Sequence, residues 1–251
     1  MTIEGGKIVV TGGSRGLGLG IVEALVERKA RVTVVGRDAG RLDEVQRRLG
    51  VAVVPGDVTD AGLAHNLLRE LQPDVVILNA GTTPVMAPLH QQTWESFTSV
   101  WETDVKGAFH WVHAALRLPL PRGSRVLIGS SGAAMAGSPL SGGYSAAKRM
   151  QWLLAGYASG VATQLDLGIR FQALLPAQIV PDTDLGRAAA EAYARMRGLT
   201  LEAFLAGFGA PMPPRLYGER VLAILEDPRY AGGTAFAIKG DGIRPLEAQL
   251  P

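Results

Sequence analysis

Short apolar runs alternate along this chain with longer segments of helical periodicity, and this alternation limits the fold more than any other feature. Seven runs rich in β-branched residues are predicted strands: residues 7–10, 31–35, 51–54, 75–78, 125–128, 169–175 and 234–238. Six segments between them space apolar residues three and four apart, as helices packed on a sheet do: residues 17–29, 39–49, 60–71, 92–116, 144–165 and 214–226. The strands are apolar throughout, so helices should cover both sheet faces. The sequence therefore predicts an α/β fold, a doubly wound three-layer sandwich around a seven-stranded parallel sheet.

A length of 251 residues fits a single domain covering residues 1–251. With 47% hydrophobic and 19% charged residues, the chain can bury one large core, which excludes disorder of the whole chain. One insertion, at about 177–213, breaks the alternation, with prolines on both sides of a helical stretch. We predict that it is a substrate lid, and an extra packed helix without a ligand role is the alternative.

The charge balance and the absence of cysteine exclude several functional classes. Lys and Arg total 25 against 23 Asp and Glu, a formal net charge of +2 that predicts no nucleic-acid or membrane partner. Without cysteine there is no disulfide framework, thiolate nucleophile or cysteine-ligated metal. The first residues lack the pattern of a signal peptide, and every apolar run is interrupted before the roughly 20 residues that span a bilayer. We therefore expect a cytoplasmic protein.

A glycine-rich loop, Thr11-Gly12-Gly13-Ser14-Arg15-Gly16-Leu17-Gly18, joins the first predicted strand to the first predicted helix. Gly12 permits a tight turn, Gly16 lets backbone approach a pyrophosphate, and Gly18 lets the helix pack closely on the strand. The first N–H groups of that helix then face an anion. At this place in the chain the loop predicts a dinucleotide site, with a plain turn as the alternative.

Three motifs together resemble those of the short-chain dehydrogenase/reductase family: the Thr-Gly-x-x-x-Gly-x-Gly loop, Asn79-Ala80-Gly81, and Tyr144-Ser145-Ala146-Ala147-Lys148. The resemblance runs from Lys7 to Gly242. It implies a Rossmann-type fold, a nicotinamide dinucleotide cofactor, and assembly as a homotetramer or homodimer. The cofactor-binding residues that it implies in these motifs are Gly12, Ser14, Arg15, Gly16, Leu17, Gly18, Asn79, Ala80, Gly81, Tyr144 and Lys148.

The end of the second predicted strand indicates which dinucleotide binds. An acidic residue there would hydrogen-bond the ribose 2′-hydroxyl of NAD, but this chain has Gly36 followed by Arg37. Arg37 and Arg15 are two guanidiniums that can converge on a 2′-phosphate, which favours NADP(H). Asp38 could instead hold an NAD ribose, and Arg37 could be a solvated surface charge.

Asp57-Val58 follows the third predicted strand, and the resemblance places this aspartate against the adenine ring. The alternative role for Asp57 is the N-cap of the next helix, although Thr59 or Asp60 would cap that helix equally well.

Tyr144 and Lys148 are four residues apart at the start of a predicted helix, so both lie on one helix face. A phenol normally titrates at about pH 10, and a neighbouring ammonium favours its ionised form. This pair therefore suits proton exchange with a carbonyl or alcohol near neutral pH. Ser131 precedes Tyr144 by thirteen residues, the separation at which the resemblance implies an active-site serine; Ser130 is the alternative. Ser131 and Tyr144 would polarise a carbonyl together.

Asp104, in Asp104-Val105-Lys106-Gly107, stands where the resemblance implies a catalytic asparagine. Its carboxylate can accept a hydrogen bond from a relay water but, when ionised, cannot donate one. Its charge would favour the Lys148 ammonium and oppose a Tyr144 phenolate.

The turn after the sixth predicted strand also departs from the family pattern, because Pro176-Ala177 replaces Pro-Gly. Pro176 and Ile179, the latter through its backbone, are the predicted cofactor contacts here, and Thr183 is an alternative.

These observations predict an NADPH-dependent oxidoreductase that reduces a ketone or 3-oxoacyl carbonyl reversibly. The alternative is an NADP(H)-binding regulatory protein with little catalysis. Apolar residues in the predicted lid and neighbouring loops suggest an apolar small-molecule substrate: Met86, Leu140, Phe204, Phe208 and Met212. A hydrophobic lid that packs only on itself is the alternative, and acyl carrier thioesters, steroids, sugars and small ketones all stay open as substrates. No metal is expected, since the helical pair His110 and His113 has no evident third ligand.

Overall fold

The computed structural model describes residues 2–118 and 120–247, and the predicted alternation of strands and helices runs through them. The strands of these residues are β1 Lys7–Thr11, β2 Arg31–Gly36, β3 Ala52–Pro55, β4 Val75–Leu78, β5 Arg125–Gly129, β6 Arg170–Pro176, β7 Ala235–Lys239 and β8 Gly242–Leu246. The α-helices are α1 Gly16–Glu27, α2 Ala39–Leu49, α3 Ala61–Leu71, α4 Trp94–Val100, α5 Lys106–Arg117, α6 Ala133–Ala136, α7 Tyr144–Gln164, α8 Asp184–Met196, α9 Leu201–Ala206 and α10 Pro214–Glu226. A π-helical turn, Trp101–Val105, joins α4 to α5.

The strands form one sheet in the order β3-β2-β1-β4-β5-β6-β7-β8. The first seven strands pair in parallel, which confirms the doubly wound prediction. The chain begins in the middle of the sheet, builds outward to β3, and then crosses back to β4. In such sheets ligands bind outside the carboxyl ends of the strands, where the strand order reverses.

The prediction of seven strands was one strand short, because β8 adds an antiparallel strand beside β7. The tight turn Gly240-Asp241 joins the two strands, with Lys239 opposite Gly242. β8 is short and contains Pro245, and a proline argues against predicting a strand from sequence. Proline is tolerated there because, among the described residues, no further strand pairs with the other edge of β8.

Two apolar cores lie on opposite faces of the sheet, as the continuous apolar strands predict. Within β1, Val9 belongs to the core beneath α3, α5 and α7, while Ile8 and Val10 belong to the core beneath α1, α2 and α10. Side chains of a strand alternate between faces, so both faces of each central strand are buried.

Arg125, at the start of β5, is buried far from the carboxyl ends of the strands. Its Nη1 donates to the carbonyls of Ile224 (3.1 Å) and Leu225 (3.0 Å), near the end of α10, and its Nε donates to Gln172 Oε1 at 2.8 Å. Burial, with a smaller contribution from Arg170, lowers the pKa of Arg125 to about 10. The guanidinium therefore acts as a buried C-cap, and its positive charge interacts favourably with the negative end of the α10 dipole.

Candidate functional site

A cavity of about 1510 Å³ opens along the carboxyl ends of the strands. The predicted site residues that line it are Gly12, Ser14, Arg15, Gly16, Leu17, Arg37, Val58, Asn79, Ala80, Gly81, Asp104, Ser131, Tyr144, Lys148, Pro176 and Ile179. The other two predicted residues, Gly18 and Asp57, are not among the lining residues, although Gly56 and Val58 on either side of Asp57 are. The volume exceeds the roughly 300–1,000 Å³ of a pocket for one small ligand.

The glycine loop has the close contacts that its sequence predicts. Gly12 has a φ of +66°, and an added Cβ would lie 2.7 Å from the Cα of Ala80. A Cβ on Gly18 would overlap the carbonyl oxygen of Gly12. The Thr11 hydroxyl oxygen accepts the N–H groups of Asn79 (3.1 Å) and Ala80 (3.2 Å) and so joins this loop to the end of β4.

Within the described part of the chain, no side chain caps the N-terminus of α1, whereas Asp38 and Asp60 cap α2 and α3. The first N–H groups of a helix have no partner within the helix, and they carry its positive dipole end. Uncapped and on the wall of the cavity, the start of α1 fits the phosphates of a dinucleotide.

The end of β2 carries no acidic side chain. Ser14 Oγ lies 3.9 Å from the place of a Cβ on Gly36, so the two residues adjoin in the cavity wall. Arg37 Nη1 lies 3.8 Å from Asp57 Oδ2, and Arg15 forms an ion pair with Asp184 of α8. Both arginines thus already have exposed acidic partners.

Asp38, the residue that argues for NAD, is the N-cap of α2. Its Oδ1 accepts the backbone N–H of Arg41 at 3.1 Å, and its Oδ2 lies 3.3 Å from Arg41 Nε. Arg41 also lines the cavity and is a third guanidinium at this end. The sequence patterns do not identify Arg41. Its position three residues after Asp38, in the first turn of α2, is the feature that could have indicated it.

Asp57 turns its carboxylate toward its own loop. Oδ1 accepts both the backbone N–H and the hydroxyl of Thr59 at 2.8 Å, and these hydrogen bonds hold the pKa of Asp57 below its ordinary value. Asp60, rather than Asp57, caps α3, through a 2.7 Å bond from the N–H of Gly62. The adenine contact of Asp57 stays a prediction.

The two candidate serines differ in what their hydroxyls do. Ser130 Oγ is buried and donates to the backbone carbonyl of Lys148 at 2.7 Å. Ser131 is only partly buried, and its Oγ accepts the N–H of Ala133 at 3.2 Å, which leaves the hydroxyl proton available to the cavity. This geometry favours Ser131 as the residue that meets a substrate.

Tyr144 is the first residue of α7, and Lys148 follows one turn later, with its Nζ 5.5 Å from the centre of the Tyr144 ring. Lys148 Nζ donates to Asp104 Oδ2 at 2.7 Å, and the two side chains are only 9% and 1% exposed. Burial lowers the pKa of Lys148, but the charges of Asp104 and Tyr144 and the Asp104 hydrogen bond together raise it above its ordinary value. Lys148 is therefore a permanently charged ammonium at neutral pH.

Asp104 lies in the π-helical turn, which packs against α7. Its Oδ1 accepts the backbone N–H of Thr82 at 2.8 Å, just after Asn79-Ala80-Gly81. The sequence predicts that Asp104 orients a relay water, whereas the structure brings its carboxylate directly against the ammonium. The catalytic role of Asp104 stays a prediction.

The segment between β6 and α8 lines the cavity. Thr183 caps α8, since its Oγ1 accepts the N–H of Gly186 and donates to the carbonyl of Val180, both at 2.9 Å. Its hydroxyl is thus engaged in the cap. Ile179 and Pro176 line the cavity, and the Pro176 carbonyl accepts the N–H of Gly132 at 2.7 Å.

The predicted lid packs as a small cluster of its own and also faces the cavity. Phe204 is buried with Ala190 and Ala194, and its ring lies 6.4 Å from that of Tyr193 and 5.3 Å from that of Phe208. The segment is therefore packed and lines the cavity, and its role as a substrate lid stays a prediction. Of the residues that suggested an apolar substrate, Met86, Phe204 and Phe208 line the cavity, whereas Leu140 and Met212 are buried outside its wall.

Two tyrosines that the sequence patterns do not single out also line the cavity. The Tyr193 hydroxyl of α8 lies 2.7 Å from Ser138 Oγ and accepts the N–H of Leu140 at 3.3 Å, so it ties the predicted lid to the loop before Tyr144. Tyr217 of α10 is buried, and burial raises its pKa, so it presents a neutral phenol. Helical spacing could have indicated Tyr193, because it lies on the same face of α8 as the buried residues Ala190 and Ala194.

The described residues contain no cluster of three or more His, Asp or Glu side chains that could hold a metal ion. Within the same residues, no helix combines the length and the apolar character needed to cross a membrane.

The doubly wound sheet, the glycine loop and the cavity beyond the strands define a nucleotide-binding α/β protein. Residues 6–194 match the model of the short chain dehydrogenase family, and the chain belongs to that family, as its motifs predict. It is 32% identical to oxidoreductase asL5 of Sarocladium schorii over 72% of this chain and 74% of that protein. It is 30% identical to the 3-oxoacyl-[acyl-carrier-protein] reductase MabA of Mycobacterium avium over 93% of this chain and 88% of that protein.

Solved structures share the fold. An NAD⁺-bound xylitol dehydrogenase superposes with a TM-score of 0.81 at 20% identity, covering 94% of this chain and 97% of the other. At this identity the likeness concerns the fold alone. The chain is thus a member of an oxidoreductase family that uses a nicotinamide cofactor.

Proposed function

We propose that this protein is an NADPH-dependent oxidoreductase that reduces a carbonyl to an alcohol, reversibly. The observation that carries the proposal is one cavity that joins Tyr144 and Lys148 to the glycine loop and the uncapped start of α1. A phenol beside an ammonium, next to a dinucleotide pocket, suits hydride transfer that is coupled to proton transfer. The similarity to a 3-oxoacyl reductase over 93% of this chain supports a carbonyl as the substrate group.

In this mechanism, the nicotinamide cofactor supplies the hydride when it is bound. Ser131 and Tyr144 donate hydrogen bonds to the substrate oxygen and stabilise the negative charge that develops there. Tyr144 then gives its proton to that oxygen. Lys148 has three N–H donors and directs one of them to Asp104. Its positive charge stabilises the phenolate that Tyr144 becomes when it gives up the proton, and Tyr144 takes a proton back from water before the next turnover.

NADP(H) is the proposed cofactor because three arginines line the cavity into which the end of β2 opens. Gly36 leaves room where an acid would repel a phosphate, and Arg15, Arg37 and Arg41 line the same cavity. Asp38 is engaged as the cap of α2, which weakens the case for its binding an NAD ribose. The acidic partners of Arg15 and Arg37 are exposed, so these guanidiniums can exchange them for a phosphate at small cost.

An assay of NADPH oxidation tests the reductase activity. The purified protein is offered ketones, aldehydes and 3-oxoacyl thioesters, and Tyr144→Phe should lower turnover by at least about 100-fold with NADPH affinity little changed. Tyr230→Phe, remote from the cavity lining, is the matched control and should keep full turnover. Tight NADPH binding with no turnover on any carbonyl would favour the regulatory protein instead.

A fluorescence titration with NADPH and NADH tests the choice of cofactor. Arg37→Ala should weaken NADPH binding by about 10- to 100-fold, because a charged hydrogen bond to phosphate is worth about 1.5–3 kcal/mol, and leave NADH binding unchanged. Arg48→Ala, which removes an arginine of α2 that pairs with Glu23 on the surface, should change neither affinity. Equal NADPH affinity of Arg37→Ala and the parent would contradict the assignment.

A homotetramer or homodimer is supported by exposed apolar side chains on two helices that pack side by side. Phe109 of α5 is 50% exposed and Tyr157 of α7 is 48% exposed. Of the small residues on α7, Ala155 is buried in the core, whereas Gly160 faces open space. Sedimentation should give a dimer or tetramer for the parent and a smaller species for Phe109→Glu.

The proposed location of the protein stays cytoplasmic.

A further inference from the structure

Gln151 occupies an unusual place behind the proposed active site. It follows Lys148 by three residues on α7 and is 1% exposed. A buried glutamine costs stability unless both halves of its carboxamide are hydrogen-bonded, so its partners indicate why it is there.

Both halves of the Gln151 carboxamide bond to the residues around Lys148. Its Oε1 accepts from Lys148 Nζ at 2.9 Å, and its Nε2 donates to the backbone carbonyl of Asp104 at 3.2 Å. Lys148 Nζ also donates to the Asp104 carboxylate at 2.7 Å. Lys148, Gln151 and Asp104 therefore form a closed ring of hydrogen bonds, which we call the lysine ring.

The π-helical turn carries Asp104 and so forms one side of the lysine ring. A widened turn shifts the local pattern of carbonyl hydrogen bonds, and such turns are frequent at functional sites. Here the Asp104 carbonyl points at α7, and the Asp104 side chain is fixed from its other side by Thr82. The ring is thus anchored to α7, to the π-helical turn and to the segment after β4.

The ring also decides which way the ammonium points. Two of the three Lys148 donors are directed at Gln151 and Asp104, so one is left for the cavity that Lys148 lines. The Gln151 carboxamide neither gains nor loses a proton near neutral pH. It therefore acts on Lys148 by orientation and not as a proton relay.

We propose that Gln151 is a positioning residue that holds the Lys148 ammonium against Asp104 and aims its remaining donor at Tyr144 and the cofactor. This inference rests on the proposed function, since it assigns Gln151 an effect on turnover only through Lys148. A glutamine that merely filled space would affect stability alone.

A double-mutant cycle tests the inference. Gln151→Met keeps the length of the side chain without its polar groups, and Lys148→Met removes the ammonium. Gln151→Met should lower kcat by about 10-fold with the KM of the carbonyl unchanged, and it should lower kcat by less than about 2-fold when Lys148 is already Met. NADPH affinity, measured by fluorescence without turnover, should show the same dependence on Lys148.

Gln172→Leu is the matched control, because Gln172 is an equally buried glutamine that bonds Arg125 at the opposite end of the sheet. It should lower thermal stability while the folded protein keeps its kcat and NADPH affinity. Gln151→Glu guards against a folding failure of Gln151→Met, since it keeps an acceptor for Lys148 but cannot donate to the Asp104 carbonyl when ionised. It should lower kcat in the parent and have no further effect beside Lys148→Met.

The outcomes separate this inference from the proposed function. Equal losses of kcat and of NADPH affinity with and without Lys148, or no loss in either background, would overturn the role of Gln151. Absence of turnover on every carbonyl would count against the reductase, while coupling in NADPH affinity would still support Gln151 as the residue that positions Lys148. Absence of both NADPH binding and turnover would overturn both.

Discussion

Replacing Asp104 by asparagine should destabilise the folded protein far more than the loss of an ordinary surface charge. The substitution keeps the volume and an oxygen that accepts the Thr82 N–H, but it leaves the Lys148 ammonium buried without its counter-charge. Breaking a buried ion pair from one side costs about 3–5 kcal/mol. Because asparagine retains acceptor capacity and Gln151 stays in place, we expect about 3 kcal/mol, the lower end of that range.

The loss should depend on pH in a defined direction. The pKa of Lys148 is raised in the folded parent, so the stability it contributes is fully present below the unfolded value of about 10.4 and is lost as pH rises through the folded pKa. In Asp104→Asn, burial acts without the opposing carboxylate and should lower the pKa of Lys148 below 10.4. The free-energy cost of burying the Lys148 charge in this variant is then relieved as pH rises. The difference between parent and variant is therefore largest at pH 7, begins to shrink once the pH passes the lowered Lys148 pKa of the variant, and shrinks further as the pH rises through the raised Lys148 pKa of the parent.

Urea unfolding at pH 7 and pH 10.5, at one protein concentration, measures both effects. Asp38→Asn is the matched control, because asparagine caps a helix as well as aspartate does and the ion pair of Asp38 with Arg41 is exposed. It should change stability by less than about 0.5 kcal/mol. A loss for Asp104→Asn no greater than that of Asp38→Asn, or one that grows toward pH 10.5, would refute this account of the buried pair.

Three further substitutions test other parts of the structure. Arg125→Met leaves two carbonyls of α10 and one glutamine oxygen without their donor, and it should cost about 3 kcal/mol in urea unfolding with NADPH affinity unchanged. Tyr193→Phe removes the hydroxyl that meets Ser138, and it should cost about 1 kcal/mol, seen as faster proteolysis within residues 184–206 and a higher KM. Gly18→Ala would place a methyl group on the Gly12 carbonyl, so NADPH binding measured by fluorescence should be lost or weakened by at least about 100-fold.

The parts of the fold that follow from local periodicity could be predicted from the sequence. Predicted strand 31–35 and helix 39–49 lie within one residue of β2 and α2. Both faces of the central strands are buried, so a continuous apolar run carries the needed information. β8 could not be found this way, because an edge strand with a proline and one open side has no apolar run to reveal it.

The candidate site divides in the same way. Tyr144 and Lys148 could be placed together because both belong to one turn of one helix. The direct contact of Lys148 with Asp104 could not, because it depends on how the π-helical turn of a distant segment packs against α7. Helix caps could be predicted only in part. Asp38, Asp60 and Thr183 are residue types that favour helix N-caps, and all three are caps in the structure. Asp38 and Thr183 are also candidates for cofactor contacts, and residue type alone does not separate the two roles.

The two ends of the cavity differ in how easily their charges can change partners. At the end near β2, the ion pairs of Arg15 and Arg37 are about half exposed or more, so water and salt weaken them and a phosphate can replace the carboxylates. The Lys148–Asp104 pair is almost completely buried, and separating it would strand an uncompensated charge. The first arrangement suits a binding region that must admit and release a charged ligand, and the second suits a group whose position must not change during a reaction. One cavity thus combines an exchangeable set of charges with a fixed one, which fits the proposed division between cofactor binding and proton transfer.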